Sequence, residues 1–133
     1  MRILALDHGA ARVGAAICDP TETLARPVGV VEPPDTDAVA ELVSEHEAEL
    51  VIVGLPVSLS GEEGPQAAAA RAFAAELAGK LEVPVEQYDE RLTTRLAESS
   101  ARAGAGAPPD ALAAAHLLES YLQRRSGAAP EAR

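Results

Sequence analysis

Leu50-Val51-Ile52-Val53-Gly54 is an unbroken apolar run dominated by β-branched residues and closed by a glycine. A strand with no polar position has both faces buried, so it lies inside a sheet that carries helices on each side. The flanking segments supply them. From Thr36, apolar Val39, Leu42 and Val43 recur at helical spacing while Asp37, Glu41, Glu45 and Glu47 take the opposite face, and His46 falls near the helix end. Pro65 is a good first helical residue, and the alanine-dense stretch from it to Lys80 is expected to turn Ala69, Ala72, Phe73 and Leu77 inward. Strand, helix and strand in that order indicate a right-handed crossover.

The chain begins with a different device. Ile3-Leu4-Ala5-Leu6 ends in Asp7, a glycine-containing turn follows, and Val13 to Cys18 returns as a second apolar run, so a β-hairpin is expected with Asp7 at its tip. Leu24 to Val31 reads as a third strand, with Pro27 marking an edge or a strand start. Val83 to Tyr88 reads as a last strand, less apolar and nearer an edge. It delivers Asp89-Glu90-Arg91, after which Thr93 or Thr94 caps a further helix. Ala103 to Pro109 reads as a flexible loop. A final helix starts near Asp110, with Ala113, Ala114, Leu117 and Tyr121 on the side of that aspartate and His116 inside its apolar run. The order β-β-β-α-β-α-β-α-α describes an α/β fold, a mixed sheet flanked by helices, in one domain over residues 1–125 with a frayed tail at 126–133.

At 133 residues, 47% of them hydrophobic, the chain suits one domain with a proper core. Aromatics are only 2%, which leaves little material for base-stacking platforms. A net charge of −10, with a single lysine among 11 basic residues, argues against non-specific affinity for polyanions. The lone Cys18 forms no internal disulfide and is expected to be a buried thiol. The start of the chain is too short in apolar residues for a signal peptide, and no run reaches membrane-spanning length, so a cytoplasmic protein with no membrane partner is expected.

Asp7, the Asp89-Glu90 pair and Asp110 each stand where an element meets solvent, and in open α/β sheets such ends converge. Each has a structural alternative: a turn, a solvated strand end, a helix N-terminus. Together they form a hard-oxygen set suited to Mg²⁺ or Mn²⁺, and two such ions activate water against a phosphodiester. Neighbours on a strand point to opposite faces, which favours Glu90 over Asp89 as the companion of Asp7. Arg12, Arg91 and Arg95 are the nearest cations for a phosphate, with salt bridging as the alternative.

Leu6-Asp7-His8-Gly9-Ala10-Ala11-Arg12-Val13-Gly14, Val53-Gly54-Leu55-Pro56, Asp89-Glu90-Arg91-Leu92-Thr93-Thr94 and the segment from Asp110 to Leu122 together resemble the YqgF (RuvX) family, in order and spacing, over nearly the whole chain. The resemblance implies a ribonuclease H-like fold and a nuclease that resolves Holliday junctions or processes the 5′ end of pre-16S ribosomal RNA. It implies Asp7, Glu90 and Asp110 as catalytic acids, Asp7, the Asp89-Glu90 block and Asp110 as metal ligands, and substrate contacts from Arg12, Arg91, Thr93 and Arg95. Branched DNA and pre-rRNA remain alternative substrates, and symmetric cutting of two strands would favour a homodimer. Two features depart from the family: His8 stands where an aromatic is common, and the segment before Asp110 carries no Lys or Arg. Two other readings stay open, a non-catalytic assembly or recombination partner that keeps the fold, and a phosphate-binding module of the actin and sugar-kinase kind.

Overall fold

The computed structural model describes residues 1–56, 60–92 and 106–131. Its elements are β1 (Ile3–His8), β2 (Val13–Cys18), β3 (Ala25–Val31), α1 (Thr36–Glu45), β4 (Leu50–Leu55), α2 (Pro65–Lys80), β5 (Val85–Asp89), a 3₁₀ turn (Glu90–Leu92) and α3 (Pro109–Glu131). One five-stranded sheet runs in the order β3-β2-β1-β4-β5. The hairpin makes β1 and β2 antiparallel, and β3 continues antiparallel from β2. The crossover through α1 brings β4 parallel to β1, and the one through α2 brings β5 parallel to β4. The carboxyl ends of β1, β4 and β5 therefore share one edge of the sheet.

Strand alternation divides the core in two. Leu4 and Leu6 of β1, Val13, Ala15 and Ile17 of β2 and Val51, Val53 and Leu55 of β4 face α1 and α2, where they meet Val39, Val43, Phe73 and Leu77. Ile3 and Ala5 of β1, Ala16 and Cys18 of β2, and Leu50 and Ile52 of β4 face α3, where they meet Ala114, Ala115, Leu117, Leu118 and Leu122. The same parity sends Asp7 toward α3 and His8 toward α2.

Local chemistry sets the helix ends. Asp35 caps α1 by accepting from the Asp37 N–H at 2.9 Å. Pro65 opens α2, where its missing N–H costs nothing. α3 is tied to β5 by a buried hydrogen bond between the Tyr88 and Ser120 hydroxyls at 2.9 Å, and by the Tyr121 hydroxyl donating to Glu86 Oε1 at 2.9 Å. The Tyr88 and Tyr121 rings meet edge to face at 5.5 Å.

Some expectations shift in detail. α2 buries Ala67, Ala70, Phe73, Ala74 and Leu77, whereas Ala69 and Ala72 are exposed. Alanine on every face hides the inward stripe, and only Phe73 and Leu77 mark it. β5 begins at Val85 rather than Val83. α3 continues as helix to Glu131, past Ser126 where the sequence reads as a frayed tail. The helix expected after Thr93 lies outside the described residues. Cys18 is buried and free, its Sγ accepting from the Ile3 N–H at 3.2 Å. Among the described residues no helix is long and apolar enough to cross a membrane.

Leu118 is fully buried between α3 and the sheet, whereas Leu24 is 72% exposed. Leu118→Ala is expected to cost about 2–5 kcal/mol in urea unfolding. Leu24→Ala is expected to change stability by no more than about 0.5 kcal/mol.

Candidate active site

Asp7 occupies the last-but-one position of β1, on the α3 face, directly opposite Gly14 of β2. The parallel register pairs Leu6 with Val53, which sets Gly54 beside Asp7 on its other flank. Both neighbours of the carboxylate thus lack side chains, and both are needed that way. A Cβ on Gly14 would lie 1.9 Å from the Asp110 carbonyl oxygen, so the first turn of α3 fits only against bare backbone. A Cβ on Gly54 would lie 2.7 Å from Glu90 Oε2 and 3.0 Å from Leu117 Cδ2. One glycine admits the helix that brings Asp110, and the other admits the side chain of Glu90.

β5 ends at Asp89, and the 3₁₀ turn begins with Glu90. Tyr88 packs with the α3-side core, so alternation turns Asp89 to the other face and returns Glu90 toward Asp7. Glu90 and Asp7 share a hydrogen bond. Burial, then the Asp7 charge, push the Glu90 carboxyl up to about 7. Burial is also the main cause raising Asp7, with the Asp110 charge adding to it. The two carboxyls share a proton that is released as pH rises through about 7.

Asp89 is engaged elsewhere. Arg91 Nε donates to Asp89 Oδ1 at 3.1 Å and Nη2 to Oδ2 at 2.6 Å, and the guanidinium holds the carboxyl below its ordinary value. The same fork occupies Arg91. Arg12 spans Glu32 at 3.2 Å and Asp110 at 3.5 Å. Asp110 itself sits in the first turn of α3 with Arg12 on its outer side. Thr93 and Arg95, expected to contact substrate, lie outside the described residues, as does part of the loop after β4.

A cleft of about 200 Å³ opens on the pair, lined by Asp7, Glu90, Ala113, His116 and Leu117. His116 places a buried Nε2 there with no hydrogen-bond partner among the described residues. From sequence it is expected to be a core or interface histidine, because it lies inside an apolar helical run. His8 points the other way. Its ring packs on Phe73 with centroids 4.8 Å apart, and burial lowers its pKa despite the Asp7 charge.

Among the described residues no three His, Cys, Asp or Glu side chains are gathered as a ready metal cage. The donor chemistry nevertheless fits a divalent cation. Two carboxyl groups forced to share a proton, with a third raising one of them from a distance, are the set that such an ion relieves.

A family model described as RuvX, Holliday junction resolvase, matches residues 1–124. A protein of Thermobifida fusca named "Putative pre-16S rRNA nuclease" is 56% identical over 105 residues, covering 77% of this chain and 66% of that protein. One of Anaeromyxobacter sp. strain K with the same name is 43% identical over 136 residues, covering 95% of this chain and 99% of its own. Among solved structures, Thermus thermophilus RuvC in complex with a Holliday junction substrate superposes with a TM-score of 0.69 at 17% identity, over 96% of both chains. The fowlpox virus Holliday junction resolvase gives 0.55 at 14% identity, over 92% of this chain and 99% of that one. These likenesses identify the sheet and its helices as a ribonuclease H-like fold.

Gly14→Ala drives a Cβ into backbone, and about 3 kcal/mol or more of stability is expected to be lost in urea unfolding. Gly54→Ala meets a movable side-chain end and is expected to cost about 1 kcal/mol while displacing Glu90. With metal chelated, the folded pair keeps a proton that the unfolded chain releases above pH 4.5. That stabilisation is present below pH 4.5 and is lost as pH rises through about 7. The melting temperature of the chelated protein should therefore carry a falling component from pH 5 to pH 8, and Glu90→Gln should flatten it.

Proposed function

The chain belongs to the RuvX family of nucleases, and from that premise we propose that it is a divalent-metal-dependent endonuclease whose centre is Asp7, Glu90 and Asp110. The observation that carries the reading is the Asp7–Glu90 pair, let in between Gly14 and Gly54 at the shared carboxyl edge of the parallel strands. Mg²⁺ or Mn²⁺, two ions in the full site, would be held by Asp7 and Glu90 with Asp110 at the side. When bound, such ions supply an activated water and neutralise the charge that builds on the leaving oxygen.

The chain's own residues do the remaining work. Glu90, its proton released to solvent, would join Asp7 in presenting two carboxylates to the ions. Burial along β1 fixes Asp7, and the first turn of α3 fixes Asp110, so neither needs to reorganise during attack. Arg12 is positioned to leave Glu32 and Asp110 for the phosphate, and Arg91 to exchange Asp89 for it; both are exposed ion pairs that cost little to break. Arg95 and Thr93 complete the substrate contacts in this reading, and Asp89 holds Arg91 rather than an ion.

The substrate favoured is the 5′ end of pre-16S ribosomal RNA, because the relatives that match along their whole length carry that name. Holliday junction DNA is the second reading, supported by the resolvase architecture and by the complexes in which the structural neighbours were solved. Action in the cytoplasm follows from the RNA substrate, and a homodimer belongs to the junction reading.

Purified protein with Mg²⁺ is expected to cleave a pre-16S RNA fragment, and Asp7→Asn to abolish cleavage while the protein stays folded. Removing the Asp7 charge from beside Glu90 should also raise the melting temperature of the chelated protein at pH 8. Cleavage that persists in Asp7→Asn, or that ignores EDTA, would remove the mechanism. A four-way DNA junction assayed in parallel separates the two substrates.

A further inference from the structure

On the opposite face of the sheet from the acids, but at the same edge, His8, Ala10, Pro65, Gln66 and Ala69 line a cavity of about 170 Å³. None of the five is charged, in a protein where 24% of residues are. The His8 ring is held from behind by Phe73 at 4.8 Å, so one wall is a fixed aromatic plane. Ala10, Pro65 and Ala69 give an apolar floor that the chain leaves exposed, and the Gln66 amide adds a donor and an acceptor. Gly9, between His8 and Ala10, puts no side chain on the ridge separating this cavity from Asp7, in a turn closed by its N–H on the Arg12 carbonyl at 2.9 Å.

We propose that this cavity seats one unpaired nucleobase of the strand whose phosphate lies at Asp7 and Glu90. An apolar space of about 150 Å³ takes a single six-membered ring, which matches a pyrimidine or the six-membered half of a purine. Unstacked bases are held on aromatic side chains, histidine included, and their edges are read by amides. A phosphate does not fit here, because among the described residues no cation lines the cavity. A base does, and β1 supplies the geometry: consecutive side chains leave a strand on opposite faces, so a sugar astride the Gly9 ridge has its phosphate on the Asp7 side and its base on the His8 side. The proposal rests on the nuclease reading and adds to it that the cut strand is single-stranded next to the scissile bond.

This assignment also states how an acidic protein grips a polyanion. Base stacking contributes affinity that counterion release does not govern, so binding should depend weakly on salt.

The test uses a fluorescently labelled octauridylate in EDTA, where binding is read by anisotropy without cleavage. The expected result is tight binding to octauridylate, at least tenfold weaker binding to an abasic ribose-phosphate octamer, and a shallow salt slope. Ala69→Phe fills the cavity from an exposed helical position, its fold checked by melting, and should bring octauridylate down to the abasic level. His8→Ala should weaken octauridylate and leave the abasic octamer unchanged. Equal affinity for the two oligomers, no binding of either, or an Ala69→Phe protein that binds like the parent would each overturn the proposal. Mg²⁺-dependent cleavage is scored separately. Cleavage indifferent to the base overturns the cavity assignment alone, whereas base-dependent binding without cleavage supports the cavity and overturns the nuclease reading.

Discussion

Everything at the functional edge depends on the absence of two side chains. Asp7 stands between Gly14 and Gly54, and each gap is occupied from outside the strand, by the backbone of Asp110 in one case and the carboxyl of Glu90 in the other. The core then works against the chemistry it supports. Burying Ala114, Ala115, Leu117 and Leu118 pulls α3 onto the sheet, and this is favourable by roughly 25 cal/mol per Å² of apolar surface. The same packing presses acids together in a partly dehydrated cleft, where burial and their like charges raise the pKa of both Asp7 and Glu90. The hydrophobic surface of α3 holds the carboxyl groups in an arrangement that relaxes only on protonation or on meeting a cation.

Much of the fold was legible in the residues because burial patterns state it directly. The all-apolar β4 demanded helices on both faces, and the hairpin before it fixed which strands run antiparallel. α2 was less legible. With alanine at nearly every position, periodicity carries no direction, and Ala69 turned out to face solvent and line a cavity rather than the core. The acids were visible as a set, but their division of labour was not. Strand parity favours Glu90 over Asp89, yet sequence alone does not show that Arg91, next in the chain, folds back to take both Asp89 oxygens. Gly54 read as the end of a strand, and its function as clearance for Glu90 depends on a register that brings β4 between β1 and β5. His116 was hidden for the same reason, since an apolar helical run does not reveal which residue will overlook a cleft.

The charge of the chain and its family stand in tension, and the two faces of β1 bear on how that is resolved. A protein with a net charge of −10 and no basic residue between Gly104 and Pro109 gains little from general electrostatic attraction to nucleic acid. Among the described residues its cations near the site are committed to local acids, Arg12 to Glu32 and Asp110, Arg91 to Asp89, Arg71 to Glu63. Those pairs are exposed, so a phosphate competes for the guanidinium on nearly equal terms, and affinity from this source is small. An uncharged aromatic-backed cavity one residue from Asp7 draws on stacking instead, which is indifferent to the sign of the surface. Asp7 and His8 then divide a single nucleotide between them, the acid side handling the phosphate and the imidazole side the base. On this account the histidine at position 8 is a consequence of the sheet's alternation: any residue there must leave the acid cleft, cross to the α2 face and find Phe73.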